Sequence, residues 1–78
     1  MRKVYKNPKE LATCLKDLVD LYLDDLMEYE TLEEKVMILV EHNGERIYKD
    51  DKMSSKIHTV IETSRADIIN KIVKDNKK

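Results

Sequence analysis

Gly44 and Pro8 are the only glycine and the only proline in the chain. Folds with many tight turns use both often, glycine for positive φ and proline for a preset φ. One of each cannot punctuate an all-β sandwich or barrel. The chain must run instead in a few long elements joined by polar connections. Its 78 residues make one domain, and a chain of this size buries roughly 60% of its unfolded surface, so the core is thin. Apolar residues reach 41%, enough for that core, while 40% charge makes nearly every exposed position ionic. With no Trp and no Phe, the core must come from Leu, Ile, Val, Met and some of the four Tyr.

The elements read as helices. Asn7-Pro8-Lys9-Glu10 is a helix start: Asn7 can accept from the first free amides, and Pro8 stands where a missing N–H costs nothing. Leu11, Leu15, Leu18, Tyr22 and Leu26 then follow at helical spacing and predict a helix over 8–28. Cys14, Val19, Leu21 and Leu23 widen its apolar arc beyond an ordinary surface stripe, which points to several neighbours or another chain. Asp25 breaks the heptad pattern, so a long coiled coil is not expected.

Thr31 with Glu34 forms a second capping box and predicts a helix over 32–42. The competing reading for 36–48 is a β-hairpin. Val36 to Val40 is continuously apolar, and Asn43-Gly44 is a favoured hairpin turn. The cap favours helix, as does the suitability of Asn-Gly for a left-handed helix end. Lys49-Asp50-Asp51-Lys52 is polar and turn-like. Ser54 or Ser55 opens a short helix over 55–62, and Ser64 with Asp67 opens another over 65–75 with Ile68, Ile69, Ile72 and Val73 inward. The expected fold is all-α, one domain over 1–78: a small bundle of about four short helices, the last two in a helix-turn-helix-like arrangement, with a tail fraying from about 75.

Helix-turn-helix segments often read I-A-x-x-L-G-(I/V)-S-R-x-x-(V/I). Over that pattern Ile57, Ile61, Ser64, Arg65 and Ile68 agree. His58 replaces the small residue that lets helices approach, and Glu62 replaces the turn glycine, where a Cβ is costly. If the pair touched DNA, Ser64, Arg65, Lys71 and Lys74 would be the contacts and Asp67 would repel. A pI of about 6.1 lacks the basic surplus of strong nucleic-acid binders. DNA binding is therefore the alternative; a non-enzymatic interaction or regulatory module is the first reading.

Charge is unevenly placed. Met1 to Glu45 holds 6 Lys/Arg against 11 Asp/Glu, a net of −5; Arg46 to Lys78 holds 9 against 5, a net of +4. Asp17, Asp20, Asp24 and Glu28, spaced 3, 4 and 4, would line one side of the first helix as a strip for a basic partner. A protein partner or self-association is expected, nucleic acid less so, and no small-molecule substrate is evident.

Little chemistry is foreshadowed. His42 and His58 stand 16 residues apart, Cys14 is far from both, and no His or Cys spacing matches a metal motif. No activity, metal or cofactor is expected. One cysteine cannot form an internal disulfide, no apolar run approaches the ~20 residues of a membrane span, and no leader pattern opens the chain; the expected location is cytoplasmic.

"VYKNPKELA" at 4–12, "RIYKDDK" at 46–52 and "IINKIV" at 68–73 resemble a family of short, uncharacterised proteins of about 80 residues from Clostridium-type bacteria. The resemblance implies a bacterial or phage source and carries over no site residue.

Overall fold

In the computed structural model, which describes residues 3–50 and 52–76, three helices alternate in direction around one core. Helix α1 (Pro8–Leu23) begins as the sequence indicates: the Asn7 side chain accepts from the Lys9 N–H at 2.8 Å, with Pro8 in the first turn. It ends five residues before the expected 28. Asp25 takes φ 59; its N–H donates to the Tyr22 carbonyl at 3.2 Å, and the Leu26 N–H donates to the Leu21 carbonyl at 2.9 Å. This is a Schellman closure with aspartate in the left-handed position, where a short polar side chain is tolerated. Leu26, expected in the core stripe, is left 73% exposed.

Helix α2 (Tyr29–Ile47) opens at Glu28 without a side-chain cap, three residues before the expected Thr31 box. Its entry is set by packing: the Tyr29 ring meets Tyr22 edge-on at 5.7 Å, and Leu32 is fully buried one turn on. The helix runs past the expected 42 and replaces the hairpin reading of 36–48. Gly44 does not take positive φ, so Asn43-Gly44 forms neither a hairpin turn nor a left-handed end. Asn43 departs from helical geometry (φ −134, ψ 20), and fully buried Ile47 draws the last turn onto the core.

The Asn43 side chain explains how a buried polar kink is tolerated. Its Oδ1 accepts the Tyr5 N–H at 2.9 Å, and its Nδ2 donates to the carbonyls of Lys3 at 2.6 Å and Leu39 at 3.0 Å. Buried amides must find such partners. The bonds to Tyr5 and Lys3 fasten the segment before α1 to the far end of α2, and the Leu39 bond holds the side chain to its own helix.

A short hairpin lies where the sequence suggests a plain connection. Strands β1 (Tyr48–Lys49) and β2 (Lys52–Met53) pair antiparallel, with Asp50 at φ 53 supplying the turn. Helix α3 (Ser55–Asn76) follows, broken at Glu62 (φ 67, ψ 166) close to where the sequence parts the two expected helices 55–62 and 65–75. The expected cap Ser64 lies two residues beyond that break, inside the helix. The helix carries through Asn76; residues 77 and 78 lie outside the described set. The molecule is thus mostly helical, as the sequence indicates, in three helical elements, of which α2 is kinked at Asn43 and α3 broken at Glu62.

Leu11, Ala12, Leu15, Leu18 and Val19 of α1 meet Leu32, Val36, Leu39 and Ile47 of α2 and Ile57, Ile61, Ala66, Ile69 and Ile72 of α3 in one core. Alpha-1 packs most extensively on α3. Ile68 and Val73, expected inside, are half-buried at its edge. The 16 residues of α1 span roughly 24 Å at 1.5 Å per residue, nearly the whole 30 × 27 × 24 Å molecule. The start of α1, the end of α2, the hairpin and the start of α3 therefore share one end, and the α1–α2 turn occupies the other.

Candidate functional site

The turn end is apolar at its centre and acidic at its fringe. Leu21, Leu23 and Leu26 are 38%, 53% and 73% exposed, a consequence of closing α1 before its apolar pattern ends. Two open grooves flank them. One, of about 750 Å³, runs along α1 from Asn7 and Lys9 past Cys14 and Asp17 to Leu21, Met27 and Lys35; the other, of about 380 Å³, includes Tyr22, Asp25, Leu26, Glu28 and Tyr29 and shares Met27. From Asp17 to Glu34 the chain carries eight acids and no base. Burial raises the Tyr29 phenol above its ordinary pKa, with the nearby negative charges of Asp75 and Glu33 adding to it.

The predicted acidic strip does not survive as a strip. Asp17 is exposed on α1, while Asp20 accepts from the Arg65 Nε at 2.7 Å. Asp24 is the C-terminal cap residue of α1, and Glu28 has left that helix and stands at the N-cap position of α2 without a side-chain cap bond. The 3-4-4 spacing places all four on one face only if the helix continues, and Asp25 ends it.

The predicted DNA contacts are likewise divided. Ser64, Lys71 and Lys74 are exposed. Arg65 faces inward: besides Asp20 it donates to the Ile61 carbonyl at 3.3 Å and lies 3.6 Å from Glu62. The Asp20 hydrogen bond holds the guanidinium above its ordinary pKa, and the charges of Asp20 and Glu62 act in the same sense. Asp67 stays exposed on the same helix.

Other chemistry-bearing groups remain apart. The Tyr5 hydroxyl donates to Cys14 Sγ at 3.4 Å. His42 is exposed with Nδ1 2.9 Å from the Ile38 carbonyl, and His58 is exposed on α3. Among the described residues no three His, Cys, Asp or Glu side chains come together as metal ligands would.

The opposite end holds residues that the sequence analysis passed over. A groove of about 720 Å³ includes Arg46, Lys49, Lys52 and Lys56, with Glu45 and Asp50. An adjoining groove of about 390 Å³ includes Lys9 and shares Pro8 and Lys56. None of these five cations forms an ion pair among the described residues. Counting charge by halves of the chain hid them, because it assigned Lys9 to the acidic half. Counting by helix ends in an alternating bundle brings residues 9 and 46–56 together.

A small three-helix protein, with an acid-fringed apolar turn at one end and a cationic hairpin at the other, is the class that fold and surface define. The chain belongs to a family of conserved hypothetical proteins, whose model matches residues 2–74 and whose name derives from a Clostridium locus, as the resemblance implied. No curated protein and no solved structure matches it significantly. Among the described residues no helix is long and apolar enough to cross a membrane.

Proposed function

We propose that the protein is a non-enzymatic interaction module whose turn end receives a basic, amphipathic segment of a protein partner. The observation carrying this reading is the exposure of Leu21, Leu23 and Leu26 together. Leu21 and Leu26 line adjoining grooves that share Met27, and exposed apolar side chains rimmed by charge favour association over solvation. The fringe selects the partner. Asp20 is paired with Arg65 and Lys35 lines one groove, but the remaining acids of 17–34 keep this end negative, so a second identical turn end is opposed, whereas lysines beside an apolar stripe complement it. Helix-in-groove docking supplies both features.

The test is an amide-shift titration with a synthetic Leu/Lys amphipathic helix of roughly 18 residues, beside a scrambled peptide of equal composition. Saturable shifts confined to residues 17–29, abolished by L23E/L26E and absent with the scrambled peptide, are expected. Scattered or non-saturating shifts overturn the reading. Concentration-dependent association in sedimentation, with no peptide added, moves it to a second copy of the chain.

One observation favours the alternative, a helix-turn-helix DNA-binding regulator. The break at Glu62 falls at the turn position of that motif, with Ser64, Lys71 and Lys74 exposed beyond it. Against it stand the engagement of Arg65 by Asp20 and the exposed Asp67. DNA retardation lost on Lys71→Ala/Lys74→Ala would restore this reading to first place.

A further inference from the structure

We infer that the hairpin end is a second, independent binding surface, and that its ligand is the phosphate backbone of duplex nucleic acid. Lys9, Arg46, Lys49, Lys52 and Lys56 line two adjoining open grooves, none ion-paired among the described residues. The acids beside them in those grooves are Glu45 and Asp50, with Asp51 next in the chain, so cations remain in excess. Left exposed and close together, these cations repel one another, and a polyanion relieves that repulsion while releasing its counterions. The remaining polar lining is Asn7, Ser54, Ser55 and Thr59, side chains of the kind that contact phosphate oxygens.

The lining also narrows the ligand. Single-strand sites stack bases on aromatic rings. Neither groove has an aromatic residue in its lining. Tyr48, the aromatic residue of the hairpin, is half-buried and donates to the Asn70 side chain at 2.5 Å. The contacts such a lining offers are mainly to phosphate, which carries no sequence information, so binding is expected to depend little on sequence. The acidic turn end, roughly 24 Å away along α1, repels the duplex and orients the hairpin toward it.

The experiment is fluorescence anisotropy with a labelled mixed-sequence duplex of about 20 base pairs, from 50 to 200 mM salt. Three to four phosphate contacts predict a log–log salt slope of about −3, a loss of roughly 50- to 100-fold over that range. Lys49→Ala/Lys52→Ala should lower the slope's magnitude by about 2. Arg46→Ala/Lys56→Ala should act alike, with the fold of each variant checked by circular dichroism. Lys71→Ala/Lys74→Ala should bind as the parent does. No saturable binding at the lowest salt overturns the inference. So does equal loss in the Lys71/Lys74 variant, which assigns binding to the other helix face. Tighter binding of polyglutamate than of duplex overturns it in favour of an acidic protein ligand.

Discussion

Replacing Glu62 with glycine should stabilise the protein. At φ 67, ψ 166 its backbone lies in a region occupied almost only by glycine, and a side chain there costs about 1–3 kcal/mol. Glycine removes that strain but frees the unfolded chain, which costs about 0.4–1 kcal/mol. The Glu62 carboxylate, 3.6 Å from Arg65 and largely exposed, contributes little that solvent does not already screen. The net expectation is about 1 kcal/mol of stabilisation, which in a domain of this size raises Tm by about 4–8 °C. Urea titration and thermal melting followed by circular dichroism measure it. Glu62→Ala is the control: it removes the charge and keeps the Cβ, so it should lie within about 0.5 kcal/mol of the parent. A glycine variant no more stable than the parent would refute the reasoning. An alanine variant stabilised as much as glycine would show that the carboxylate, not the backbone, carries the cost.

Gly44→Ala should stabilise by about 0.5–1 kcal/mol, because the residue is helical without positive φ and an added Cβ meets nothing within 4 Å; a loss in the same urea titration would contradict that geometry. Asn43→Ala should cost about 2–4 kcal/mol by removing three hydrogen bonds from a buried position, with Tyr5 amide exchange accelerating as the clamp opens. Burial pushes the Tyr48 hydroxyl up to about 12, so the unfolded chain loses this proton first. Its contribution is complete below pH 10 and is lost as pH rises from 10 to 12, worth about 1 kcal/mol after allowing for its half exposure; Tyr48→Phe should flatten that part of the stability profile in alkaline urea melts.

Local signals were legible in the sequence and non-local ones were not. The start of α1 was readable because Asn7 and Pro8 act within one turn. Its end was misjudged because the apolar pattern continues to Leu26, while termination is a backbone event at Asp25 that periodicity does not register. The acidic strip failed for the same reason. The motif comparison set Glu62 at the turn-glycine position and counted its Cβ against the motif, yet the backbone there takes positive φ all the same. The Asn43 clamp was invisible: its Tyr5 and Lys3 partners lie 38 and 40 residues away, and Asn43-Gly44 resembles a turn signal when read alone. The hairpin cations become a cluster only once α1, α2 and α3 are known to alternate.

The Asn43 clamp also governs how the molecule ages chemically. An Asn-Gly step ordinarily loses its side-chain ammonia when the following backbone nitrogen attacks the amide carbon and closes a succinimide. Here the amide group is buried and held by three hydrogen bonds, within a helix that restrains the Gly44 nitrogen. The reaction should therefore be slow in folded molecules and faster in unfolded ones. Water then opens the succinimide to aspartate or isoaspartate, whose carboxylate has no N–H to offer the Lys3 and Leu39 carbonyls and would place an ionised group in an apolar setting, so closure as before is opposed. Deamidation at Asn43 is therefore expected to follow how often the molecule opens, and intact-mass measurement after prolonged incubation with and without urea would read that frequency as a chemical clock.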